Sequence, residues 1–213
     1  RTHKQREMIR NPDESLIIRG DFLSNKHTDK VAVEVKRSSG QKLKLNGNTL
    51  SGRKELIGRN NVVVLSPEEQ SITKGAPIER RKFFDKMFSM SSHNYVDRLQ
   101  QYSRVLKQRN AVILNVKENN QQIESLQSWD EKLTETGHKL WDIRFNFMNS
   151  FKTDLKSIVG RYDKDIQFEI SYLDTIPSLD IYKTKINKSQ KKDIALGRTT
   201  FGPHRDNITP VWN

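Results

Sequence analysis

The sequence predicts a mixed α/β chain: an antiparallel strand meander, then a long helical hairpin, then a short return to strand. Three observations carry this. Val31, Val33 and Val35 alternate with Ala32, Glu34 and Lys36, the period-two pattern of a half-buried strand. Tyr95, Leu99, Tyr102, Leu106 and Ile113 recur near the helical period and share one face, with Arg98, Arg104, Lys107 and Arg109 placed away from its centre. Leu126, Trp129, Leu133, Leu140, Phe147, Phe151, Leu155 and Ile158 carry a second stripe of about nine turns.

Taken in order, residues 1–14 are polar and basic, with a turn at Asn11-Pro12-Asp13. Strands are expected at 15–23 and 30–38, followed by KLKLNG, which ends on the hairpin dipeptide Asn46-Gly47. GRKELIGRN reads as a single helical turn. The apolar run Val62 to Leu65 predicts a strand over 61–66, buried on both faces, which Ser66-Pro67 ends. Ser66 also offers an N-cap, with Pro67 at the first helical position and Glu69 at capping-box spacing. After Lys74-Gly75, Pro77 starts a helix with Phe83, Phe84, Met87 and Phe88 on its apolar side. NNQQIES is the polar tip between the two long helices, whose aromatic stripe, Trp129 and Trp141 included, reads as helix–helix core. Gly160 is expected to stop the second of them. A strand follows at 166–173, then a basic helix over 178–197 with Gly197 as its C′ residue.

Apolar residues make up 33% of the chain and charged residues 30%, a balance that favours exposed helices over a thick core. Thirty-eight basic residues against 26 acidic give a net charge of +12, so the expected partners are anionic, nucleic acid first. No stretch approaches the roughly 20 apolar residues that span a bilayer. The first ten residues contain no apolar signal core, and the absence of cysteine excludes disulfides and thiolate metal sites. A cytoplasmic location is the expectation. The chain opens on Arg1 rather than methionine, and a piece of a longer protein is expected.

Two constellations stand out. Arg80, Arg81, Lys82, Lys86, Arg98, Arg104, Lys107 and Arg109 offer guanidinium and ammonium groups for a nucleic-acid backbone; the alternative is a solvated helix face. GPHRDN places His204, Arg205 and Asp206 on a rigid corner after Gly202-Pro203. They either face phosphate or a partner subunit, or form a loop with an internal Arg–Asp pair. One histidine and one aspartate do not make a metal sphere, and no nucleophile motif is present, so no catalytic residue or metal ligand is assigned. The chain holds no GxxxxGK[ST] loop.

Several ordered stretches, SPEEQ–ITKG–P–ERRKFFD, Y–LKQRNA, SWDEKL and ALGRTTFGPHRDN, resemble the RecF family of bacterial DNA replication and repair proteins. RTHKQREMIR is similar to the family segment just after its phosphate loop, so the resemblance covers essentially the whole chain. It implies an ABC-type ATPase related to the SMC proteins: a nucleotide-binding head, lobe I, with a helical arm, lobe II. On this chain residues 1–69 are then part of the head, 70–165 the arm, and 166–213 the return to the head. It further implies ATP with Mg²⁺ as cofactors, an ATP-dependent homodimer, DNA at single-strand/double-strand junctions, and RecO and RecR partners in recombinase loading. Arg1, Glu68, Glu69, Gln70, His204, Arg205 and Asp206 are the implied nucleotide-proximal residues. PEEQ departs from the family's Pro-Glu-Asp-Leu, and Asn207 replaces a second acidic residue. Without the phosphate loop, signature motif and acidic metal segment, these 213 residues are not expected to bind nucleotide or hydrolyse ATP alone. Two other classes stay open: an interaction lobe that never touches DNA, and a nucleic-acid-binding module unrelated to ATPases.

Overall fold

A computed structural model describes residues 5–23, 28–59, 71–119 and 123–212. The expected strand at 61–66, the Ser66 cap, Arg1, Glu68, Glu69 and Gln70 lie outside these. The chain divides into two compact units, Arg1–Val62 and Val63–Asn213.

The first unit is an antiparallel sheet of β1 (Ser15–Leu23), β2 (Thr28–Lys36), β3 (Gly40–Leu45) and β4 (Asn48–Thr49), in that spatial order. Leu16 lies opposite Val35, Ile18 opposite Val33, and Val33 in turn opposite Leu43. Directly paired residues point to the same side, so this register gathers the aliphatic side chains on one face. Leu45 and Asn48 pair across a two-residue turn in which Asn46 and Gly47 both take positive φ, 51° and 88°. That is the left-handed geometry that Asn-Gly adopts at low cost. Arg37 fastens the preceding segment to the sheet, donating to the carbonyls of Ile9 and Asp13 and to Asn11 Oδ1. Arg59 grips buried Asp29 with two bonds of 3.0 Å.

The second unit contains α1 (Ser71–Lys74), α2 (Pro77–Ser91), α3 (His93–Asn119), α4 (Gln127–Tyr162), β5 (Phe168–Ser171), α5 (Leu179–Leu196) and β6 (Thr209–Trp212). Pro77 occupies the first turn of α2, where its missing N–H costs nothing. Helices α3 and α4 are the expected long pair, packed along Tyr95, Tyr102, Leu133 and Leu140, all buried. Phe88, Tyr95 and Phe147 meet edge-on or tilted at 5.3 to 5.7 Å, the arrangement ring quadrupoles prefer. Trp141 is core as expected, whereas Trp129 is half-buried under the ammonium of Lys132. Gly160 does not stop α4, which runs to Tyr162 and is capped at Asp163, whose N–H donates to Val159 O. In a last turn open to solvent a glycine lowers helix propensity without breaking the hydrogen-bond ladder. β5 and β6 pair antiparallel, with Phe168 stacked on Trp212. Among the described residues no helix is long and apolar enough to cross a membrane.

Candidate functional site

Described residues of the ERRKFFD, LKQRNA, SWDEKL and GRTTFGPHRDN stretches converge in a buried polar seam of the second unit. Arg144 projects from α4 into the seam. Its Nη1 donates to Pro203 O and Asp206 Oδ2, each at 2.9 Å, its Nη2 to Asp85 of α2, and its Nε to Tyr95 Oη of α3. Asp206 also accepts from the Trp141 indole and the Tyr172 hydroxyl. Burial pushes the Asp206 carboxyl up, while Arg144 and these donors pull it back. Burial alone would lower the Arg144 pKa, but Asp85, the tyrosines and Asp206 hold it well above the usual range.

Arg109 does the same work further along the seam. From α3 it donates to Asp130 of α4 at 2.6 Å, and to Asp193 of α5 and Thr199 at 2.7 Å each. Asn110 accepts from the Thr199 N–H and hydroxyl. The motif residues Arg109 and Asn110, Asp130, and Thr199 therefore tie three helices and the 199–206 loop together.

His204 joins the corner to α3. Its Nε2 donates to the Thr199 carbonyl, so Nδ1 accepts from the Tyr102 hydroxyl at 2.5 Å. Burial brings its pKa down to about 4, despite the opposing pull of the Thr199 bond, so the ring is neutral at physiological pH. Gly202 has φ +135°, and a Cβ there would lie 2.5 Å from Tyr182 Oη and 2.7 Å from Tyr102 Oη. The same tyrosines lie against Gly137, where a Cβ would be 2.7 Å from Tyr182 Oη. Glycine at both positions lets α4, α5 and the corner close on one aromatic pair.

The corner thus faces inward. Its Arg–Asp pair is real, but the arginine is Arg144, not Arg205. Asp206 and His204 have their polar atoms engaged and do not fit a metal–nucleotide site in this conformation. Among the described residues no group of three His, Asp or Glu could hold a metal. Arg205 is exposed and donates to Thr199 O.

The basic set also divides. Arg109 is fully buried, a correction of its placement on a nucleic-acid face. It falls seven residues after Tyr102 and seven before buried Val116, on the apolar stripe itself, and the carboxylates of Asp130 and Asp193 are what hold its charge there. Arg80 donates to Gly75 O, Ile208 O and Asn207, and Arg81 to Asp206 O, so both hold the 206–208 strand entry on α2. Burial, then the nearby Arg144 charge, lowers the Arg81 pKa. Arg98 is half-buried; Lys82, Lys86, Arg104 and Lys107 are exposed. Of the other seam residues, Asp85 closes the ERRKFFD stretch and Tyr95 opens the apolar stripe of α3, whereas Arg144 belongs to no motif or stripe read from the sequence.

A helical pair joined by a buried arginine seam, with antiparallel strands before and after, is the mixed α/β architecture of the ABC-ATPase-like RecF fold. A RecF–ATPrS structure of the recombination mediator superposes with a TM-score of 0.87 at 27% identity, over 99% of this chain and 59% of that one. A RecF–ATP structure of the RecFOR pathway gives 0.85 at the same identity and coverage. The DNA replication and repair protein RecF of Clostridium acetobutylicum is 34% identical over 216 residues, and that of Chlorobium limicola 32% over 208. No protein-family model matches. Over nearly its whole length the chain is similar to RecF proteins, and it spans 57 to 58% of the length of these two curated relatives, matching 98% and 92% of itself.

Proposed function

We propose that this chain is the arm and part of the head of a RecF-type recombination mediator that binds DNA at single-strand gaps and junctions in an ATP-dependent manner. In this reading residues 1–69 and 166–213 belong to the head and 70–165 to the arm. The protein acts in the cytoplasm, dimerises on ATP with Mg²⁺, and promotes recombinase loading with RecO- and RecR-type partners. The observation that supports it is the near-complete superposition on the ATP-bound mediator.

For this chain's own residues the reading gives two roles. The seam keeps the 199–206 loop in one shape against the helices, which preorganises whatever the adjoining head presents to nucleotide. Arg205 is the corner side chain available to a phosphate, and Arg1, Glu68, Glu69 and Gln70 remain nucleotide-proximal by resemblance. ATP hydrolysis belongs to the complete protein, whose phosphate loop and metal ligands position the reacting groups. The test is anisotropy of labelled gapped and blunt duplexes with the full-length protein, with and without ATP. Tighter binding to gapped DNA in ATP is expected, and equal affinity for the two DNAs in both states sinks the reading.

A further inference from the structure

Helix α5 buries Tyr182, Ile186 and Asp193 on one side. At about 100° per residue, Lys183, Lys185, Lys188, Lys191 and Lys192 all fall on the remaining arc, and all five are exposed. Arg198 follows immediately and is exposed, and the Lys117 ammonium of α3 lies beside Gly197 at the helix end. Asp180 is the one acid on the outward side, because Asp193 is buried against Arg109.

Three features set this face apart from an ordinary solvated surface. Lys188 has like-charged neighbours at i+3 and i+4 and another at i−3, spacings that destabilise a helix. None of the five lies in the last turn, where the helix dipole would favour a cation. None forms an ion pair with a described acidic residue, and Lys185 alone has an internal partner among the described residues, the Phe201 ring. Lys188, Lys191 and Lys192 have no described partner inside the fold, which leaves their charge open to an external polyanion.

We propose that the outward face of α5 is a docking surface for the sugar-phosphate backbone of duplex DNA. The inference rests on the DNA-binding reading above and gives it a surface. Lysines are point charges suited to phosphate rather than to base edges, so the binding is independent of sequence. The helix carries no exposed aromatic on which single-stranded bases could stack, since Tyr182 is buried. Lys183 and Lys192 stand about 14 Å apart along the axis, a span that reaches successive phosphates or crosses a groove.

The test uses the full-length protein with ATP and Mg²⁺ and a short fluorescent duplex of arbitrary sequence, with gapped DNA in parallel, titrated between about 50 and 200 mM salt. Replacing Lys188, Lys191 and Lys192 together by Gln should lower the slope of log affinity on log salt by about three, one for each lysine–phosphate pairing removed. Binding should weaken about tenfold or more at the lower salt. The Lys→Arg triple at the same positions should restore both, which separates charge from any change in folding. Wild-type binding with an unchanged Gln variant overturns the α5 assignment alone and points to an acidic protein surface as the occupant. Wild-type protein that binds gapped DNA but not the duplex overturns the α5 assignment alone, and wild-type protein that binds neither overturns the DNA reading as well.

Discussion

The interior seam and the outward face of α5 are both rich in positive charge, and they use it in opposite ways. Inside, Arg109 and Arg144 are buried, and each joins several chain segments through directional bonds to carboxylates and carbonyls. Outside, five lysines stand in solvent with scarcely a partner among the described residues. The planar guanidinium fork is suited to knitting helices together, and the flexible ammonium to meeting a diffuse polyanion. A count of basic residues merges two different kinds of work.

The sharpest way to break the contrast is at Arg144. Arg144→Ala leaves Asp85 and Asp206 without the cation they share, and a loss of about 3–5 kcal/mol of stability is expected in urea unfolding. A change below about 1 kcal/mol would show that the seam tolerates an unpaired charge.

Next in size is the pH response of His204. Its folded pKa of about 4 lies below the ordinary 6.5, so the unfolded chain takes up the proton first. The stability it contributes is present above pH 6.5 and is lost as pH falls toward 4. On the order of 2–3 kcal/mol separates the two ends of that window. His204→Gln keeps a donor for Thr199 and an acceptor for Tyr102, so its unfolding midpoint should vary less between these pH values than that of the wild type.

Gly137→Ala presses a methyl into the Tyr182 and Tyr102 rings. It should cost about 1–3 kcal/mol, read as a lowered thermal midpoint. Smallest of all, Lys107→Gln alters an exposed position and should change stability by less than about 0.5 kcal/mol.

Much of the fold was legible because it is local. Asn46-Gly47 announced its hairpin, Pro77 the start of α2, and Gly197 its left-handed stop at φ 68°. The spacing of Tyr95, Tyr102 and Ile113 marked the buried face of α3. The candidate site was less legible because it depends on meetings between distant residues. Nothing near Asp206 in the sequence names Arg144 as its partner, 62 residues away. Arg109 has a heptad position that points inward, but a charged side chain on an apolar stripe is legible as buried only once Asp130 and Asp193 are known to meet it. The inward turn of His204 likewise rests on Tyr102, a residue of another helix.

Helix α5 is closed at both ends by its own chemistry: the Ser178 hydroxyl accepts from Ile181 N–H, and Gly197 returns its N–H to the preceding turn. It is seated from beneath by Tyr182, Ile186 and Asp193, and among its lysines Lys185 reaches that layer, over the Phe201 ring. The outer half can therefore change its charge residue by residue while the helix keeps its length and footing. On the docking proposal, grip on a polyanion is an adjustable quantity, and easing the lysine repulsion would steady the helix that carries it.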